Sequence, residues 1–169
     1  MDSNPFAILT FIAAPAVLTN AASLLTMSTS NRFGRNVDRA RALIKLLDAH
    51  RLIGPTATPQ QRAEDAMNRK LLEWMDLRSA LLMRAMSLLY FAIGSFAAGS
   101  LTSLLGAIVA TTQHPYALWA TLTLAVATGV AGLGGLIWGG WLLTVESRLA
   151  LKTIREEMNF HRARFVETP

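Results

Sequence analysis

ALWATLTLAVATGVAGLGGLIWGGWLLTV, residues 117–145, contains no Asp, Glu, Lys or Arg. It is longer than the roughly 20 residues an α-helix needs to cross a bilayer core of about 30 Å. Residues 5–27 and 85–112 are two further charge-free apolar runs that pass the same length test. None of the three alternates apolar and polar residues with period two, and open strands could not satisfy their backbone in lipid, so each is expected to be a helix. The implied fold is an all-α integral membrane protein with three transmembrane helices and long helical cytoplasmic extensions. A short flank carrying Asp2 and no Lys or Arg precedes the first run, unlike a cleaved signal, so that run is expected to persist as a helix.

The charges lie outside these runs. All 16 Lys and Arg fall either between Arg32 and Arg84 or from Arg148 onward, two segments that three spans put on one side of the membrane. Basic residues near helix ends are retained in the cytoplasm, which gives an outward N-terminus and a cytoplasmic C-terminus. The expected layout is a first transmembrane helix over 1–27, a cytoplasmic helical hairpin over 28–84 with a linker at 54–58, a transmembrane hairpin over 85–145 and a cytoplasmic helix over 146–169. The formal net charge of +5 then belongs to helices beside anionic lipid, and no nucleic-acid partner is expected. A hydrophobic content of 52% in 169 residues fits a lipid-embedded chain, and the absence of cysteine removes disulfides and thiolate chemistry.

Between the runs, residues 27–53 keep helical spacing, with either Val37, Ile44 and Leu47 or Leu43, Leu47 and His50 on the apolar face. Gly54 and Pro55 end that helix. Thr58-Pro59-Gln60-Gln61 reads as the next start, with a Thr cap, Pro in the first turn and Gln three residues after the cap. No breaker follows, so a helix from Pro59 to Thr112 would be about 80 Å long. Met67, Leu71, Trp74, Leu77 or Arg78, and Leu81 form its apolar stripe. Gln113 to Tyr116 leaves room only for a tight turn, with Tyr116 and Trp119 at one membrane interface and Trp138 and Trp141 at the other. Ile154, Met158, His161 and Phe165 continue the helical spacing to the C-terminus.

The stretch Asn4-Pro5-Phe6-Ala7-Ile8-Leu9-Thr10-Phe11-Ile12-Ala13-Ala14-Pro15-Ala16-Val17-Leu18-Thr19-Asn20, with Ser30-Asn31-Arg32-Phe33 and Val37-Asp38-Arg39-Ala40-Arg41, resembles a family of bacterial membrane proteins catalogued as domain of unknown function number twenty-seven twenty-one. The motif covers about the first quarter of the chain. The resemblance implies a bacterial plasma membrane location and three spans, and it brings no activity or functional residues.

Catalytic constellations are not legible, and no enzyme activity, cofactor or metal is expected. Glu157 and His161 are four apart, half of a zinc-ligand set without its companions, and fit a surface ion pair better. The glycines between Gly129 and Gly140 lie inside an apolar run with no preceding strand, so they serve close helix approach rather than phosphate binding. Gly135 with Gly139 and Ser95 with Gly99 are the small-xxx-small pairs expected to pack helices.

The first run carries a sharper pattern. Leu9, Ala13, Ala16, Asn20, Ser23 and Met27 recur at four, three, four, three and four, a heptad seam of mostly small or polar side chains, while Phe11, Leu18 and Leu25 form a bulky stripe elsewhere. An Asn amide in hydrocarbon needs a partner or water. Two readings follow: Asn20 as helix–helix glue, or Asn20 on the wall of a water-filled pore made by several copies. The leading expectation is a homo-oligomeric inner-membrane ion channel, its partners being lipid, further copies and ions. Phe6, Leu9, Ala13, Ala16, Asn20, Ser23 and Met27 would line the pore and Asp2 would lie at its outer mouth. The alternative is a non-conducting scaffold or regulatory protein whose cytoplasmic helices bind another protein.

Overall fold

In the computed structural model the backbone is described for residues 5–53, 58–112 and 115–166, and side chains for 13–51, 58–111, 115–160 and 162. Residues 54–57 of the expected 54–58 linker, Asp2, His114 and the side chains of Phe6, Leu9, His161 and Phe165 lie outside the described residues. The architecture is all-helical: α1 (Pro5–Ile53), α2 (Pro59–Val109), a short 3-10 turn (Ala110–Thr112) and α3 (Pro115–Val166). The start of α2 is a reciprocal capping box. The Thr58 amide donates to Gln61 Oε1 at 2.8 Å, and the Gln61 amide donates to Thr58 Oγ1 at 3.3 Å. Two helices, α2 and α3, are long and apolar enough to cross a membrane.

Each helix contributes to two compact units, one of residues 1–29 and 85–141, the other of 30–84 and 142–169. In the first unit the buried positions repeat at three and four. Leu89, Ala92, Phe96, Gly99 and Thr102 are buried on α2, Gly132, Gly135 and Gly139 on α3, and Ala22, Thr26 and Thr29 on α1. Glycine lets α3 lie against α2. A Cβ on Gly135 would stand 3.1 Å from the Leu88 carbonyl oxygen, one on Gly139 3.3 Å from the Leu89 side chain, and one on Gly99 3.1 Å from Thr128 Oγ1. Ser95, the sequence partner of Gly99, is half-buried.

The outer surface of this unit is apolar: Tyr90, Phe91, Leu101, Ile108, Trp119, Val130, Ile137, Trp138 and Trp141 are all exposed. Surface of that kind and extent calls for a non-aqueous neighbour. The glycine contacts give a paired prediction. Gly135→Ala meets backbone that cannot turn aside and is expected to cost about 1–3 kcal/mol by overpacking. Gly134→Ala, where a Cβ meets nothing within 4 Å, is expected to be neutral or slightly stabilising. Thermal unfolding of both variants in one detergent separates them.

In the second unit the helix faces differ in detail from the sequence reading. On α2, Leu71, Met75 and Leu82 are buried, Arg78 shares their spacing, and Leu77 is exposed. The buried stripe thus lies slightly round the helix from the one expected through Trp74 and Leu81, which are half-buried. On α1 the set Leu43, Leu47 and His50 is half-buried, whereas Ile44 is exposed. On α3 the inward positions are Glu146 and Thr153, and Leu151, Ile154 and Met158 form an exposed apolar stripe.

Candidate functional site

The second unit holds a carboxylate with no solvent exposure. Glu146 on α3 is 0% exposed, and both facing helices send it an arginine. Arg78 of α2 donates to Glu146 Oε1 from Nε at 3.0 Å and from Nη2 at 2.8 Å. Arg32 of α1 places Nη2 2.8 Å from Oε2, and the same nitrogen donates to Ser147 Oγ at 2.8 Å. The Arg32 contact to Oε2 is an ion pair rather than an aligned hydrogen bond, so that oxygen has charge complement but no donor directed at it. The Ser147 hydroxyl donates its own hydrogen bond to the Leu143 carbonyl. Burying these charges is costly, and the geometry offsets that cost only while all three helices keep their register.

Other polar contacts extend along the same unit. Buried Asn36 donates through Nδ2 to the Met75 carbonyl at 2.9 Å and to Ser79 Oγ at 2.8 Å, tying α1 to α2. Arg39 pairs with Glu157, and Lys70 pairs with Glu156 at 2.8 Å. That hydrogen bond from Lys70 holds the Glu156 carboxyl below its ordinary range, against a smaller opposing effect of desolvation. Lys152 lies over the Trp74 ring at 4.8 Å, and His50 Nδ1 sits 2.7 Å from Asp65. Glu157 is therefore engaged by Arg39, and no group of three metal-ligating side chains occurs among the described residues. This polar framework escaped the sequence reading, though its signal was there: Arg78 falls in an otherwise apolar stripe, where a cation needs a partner.

The seam on α1 lies in the first unit. Ala13, Ala16, Asn20, Ser23 and Met27 are all exposed, whereas Ala22, Thr26 and Thr29 on the other side are buried. Hydroxyls on this stretch are satisfied within the helix: Thr19 donates to the Pro15 carbonyl, Ser23 to Thr19, Thr26 to Ala22 and Thr29 to Leu25, at 2.7–2.8 Å. Asn20 has no such partner among the described residues. Its amide lies on an exposed face inside an apolar, charge-free run. The bulky stripe behaves differently, since Leu18 is half-buried and Leu25 is 40% exposed.

No curated protein and no solved structure matches the chain. A family model described as "Protein of unknown function (DUF2721)" matches residues 12–156, a stretch that takes in Asn20, Arg32, Asn36, Arg78 and Glu146 and leaves Asp2, Phe6 and Leu9 outside. Covering most of the sequence, that match establishes that the chain belongs to the DUF2721 family.

Proposed function

We propose that the protein is a homo-oligomer of the bacterial inner membrane in which α1 of each copy faces the symmetry axis and lines an ion-conducting pore. The observation that carries this reading is Asn20, exposed on α1 with no partner among the described residues and flanked on its face by Ala16, Ser23 and Met27. If residues 5–27 cross the bilayer, the amide must find water or another copy, and a ring of such helices supplies both. Asn20 and Ser23 then present amides and hydroxyls to a partly dehydrated ion. Phe6, Leu9 and Met27 form apolar constrictions that gate by dewetting, and Asp2 at the outer mouth favours cations. The N-terminus lies outside, the polar framework around Glu146 lies in the cytoplasm, and the protein's role is conduction rather than catalysis.

Two experiments test this. Purified protein in planar bilayers is expected to give unitary currents that change with Leu9→Ala and with Met27→Ala; silent bilayers across voltage, tension and pH would contradict conduction. Single cysteines placed in this cysteine-free chain at Thr56 and His114 are expected to react with an impermeant thiol reagent in intact cells at position 114 only. Labelling at 56 alone would reverse the orientation.

A second reading starts from α3 in the second unit. The exposed stripe of Leu151, Ile154 and Met158 on α3 is a face fit for another helix. In a non-conducting scaffold that helix comes from a different protein; in the oligomer it comes from a neighbouring copy. Met158→Lys is expected to weaken self-association of the purified chain in the second case and leave it unchanged in the first, as read by native mass spectrometry.

A further inference from the structure

The first unit contains an apolar groove of about 300 Å³ bordered by all three helices. Pro15 and Leu18 of α1 form one wall, Phe96 and Gly99 of α2 the floor, and Val126 and Gly129 of α3 the other wall. Among the described residues Ser103 is the one polar side chain in the lining, and it can turn its hydroxyl onto a carbonyl of its own helix, as Ser100 and Thr102 do. We propose that this groove is a binding site for one acyl chain of a membrane phospholipid. The proposal rests on the membrane placement of α2 and α3 and is independent of the pore.

Shape decides among occupants. The groove follows α2 from Phe96 to Ser103, about 10 Å at the helical rise. A helix from a second copy or another protein, with its pitch of about 5.4 Å, would meet the groove over only about two turns. Water is disfavoured by a lining that offers it almost no partners. Left empty, the walls lose their dispersion contacts on one side. The groove opens among exposed Val126 and Leu133, continuous with Val130 on the same helix, so the medium at its mouth is the hydrocarbon of the bilayer. A flexible polymethylene chain from that medium fills a narrow slot that the described side chains leave open. Gly129 marks the slack, because a Cβ there would meet nothing within 4 Å.

The test uses the full-length protein in nanodiscs made with a phosphatidylglycerol that carries a diazirine in mid-chain, with adducts mapped by mass spectrometry after irradiation. Adducts are expected to concentrate at Leu18, Val126 and Leu133, severalfold above Val130 and Ile137, although the latter two are the more exposed at 64% and 72%. Gly129→Leu from α3 and Ala14→Leu from α1 each fill the groove and are expected to lower those adducts severalfold while leaving Ile137 unchanged. Either variant suffices if its helical circular dichroism and elution match the parent. Adducts that simply follow exposure, unchanged in both variants, would overturn the site, as would a peptide–peptide crosslink seating a second copy in it. Absence of adducts even at Ile137 would overturn the membrane placement itself, a result distinct from an unoccupied groove in an embedded protein.

Discussion

Glu146→Gln is expected to lower the stability of the protein by about 3–5 kcal/mol, the usual cost of removing one partner from a buried ion pair. The substitution keeps the shape of the side chain and removes its charge, which leaves Arg32 and Arg78 facing each other with no anion between them. Arg78 suffers most, since its side chain is 17% exposed and both of its donors to Oε1 would meet a neutral amide. Arg32, at 33% exposed, can turn to water and to Ser147. For a chain of 169 residues the loss corresponds to a fall in melting temperature on the order of 10 °C. Replacing Glu146 and Arg78 together by methionine is expected to recover part of it, because two apolar side chains remove the desolvation cost along with the attraction. Equal destabilisation by the single and double variants, measured by thermal unfolding in one detergent, would show that the ion pair does not set the stability of this unit.

Asn20→Leu is expected to reduce unitary conductance by at least about tenfold, which requires a barrier increase of only about 1.4 kcal/mol. In a ring of α1 helices the change removes every amide at one level and substitutes a narrow apolar collar, where an ion must shed water without replacement. The same substitution separates the pore from helix glue. As an interhelical hydrogen bond, Asn20 contributes about 1 kcal/mol or less, so its loss would shift the oligomer equilibrium modestly and leave any current unaltered. A tenfold fall with the oligomer intact assigns Asn20 to the conduction path. Unchanged current moves that path away from α1.

The helical character of the chain was legible because the three charge-free runs and the breakers at 54–59 act locally. The capping box at Thr58 and Gln61 closes as its spacing requires. Helix faces were harder. Apolar spacing on α2 admits two neighbouring stripes, one through Trp74 and Leu81 and one through Met75 and Leu82. The structure buries the second, and Arg78, which both stripes share, reaches Glu146 on another helix. That partner lies 68 residues away, and periodicity carries no information at such separations. On α3 the apolar residues Ile154 and Met158 face outward while Thr153 is buried, the reverse of the amphipathic expectation. Thr153 satisfies its own hydroxyl on the Leu149 carbonyl, which makes it a cheap buried residue that hydropathy alone undervalues. The α1 seam was legible as a pattern, and the exposure of Asn20, Ser23 and Met27 is what the pattern alone could not supply.

If copies of the chain meet through the α1 seam, proximity chemistry in native membranes joins them there. Ser23→Cys lies on the seam, and Leu25→Cys lies about 200° further round the same helix while remaining partly exposed. With no other cysteine in the chain, any covalent dimer reports one position. Oxidation, or a short bis-maleimide, is expected to join Ser23→Cys subunits and leave Leu25→Cys monomeric. Dimers through position 25 with none through position 23 would place a different face of α1 between copies and contradict a pore lined by the seam.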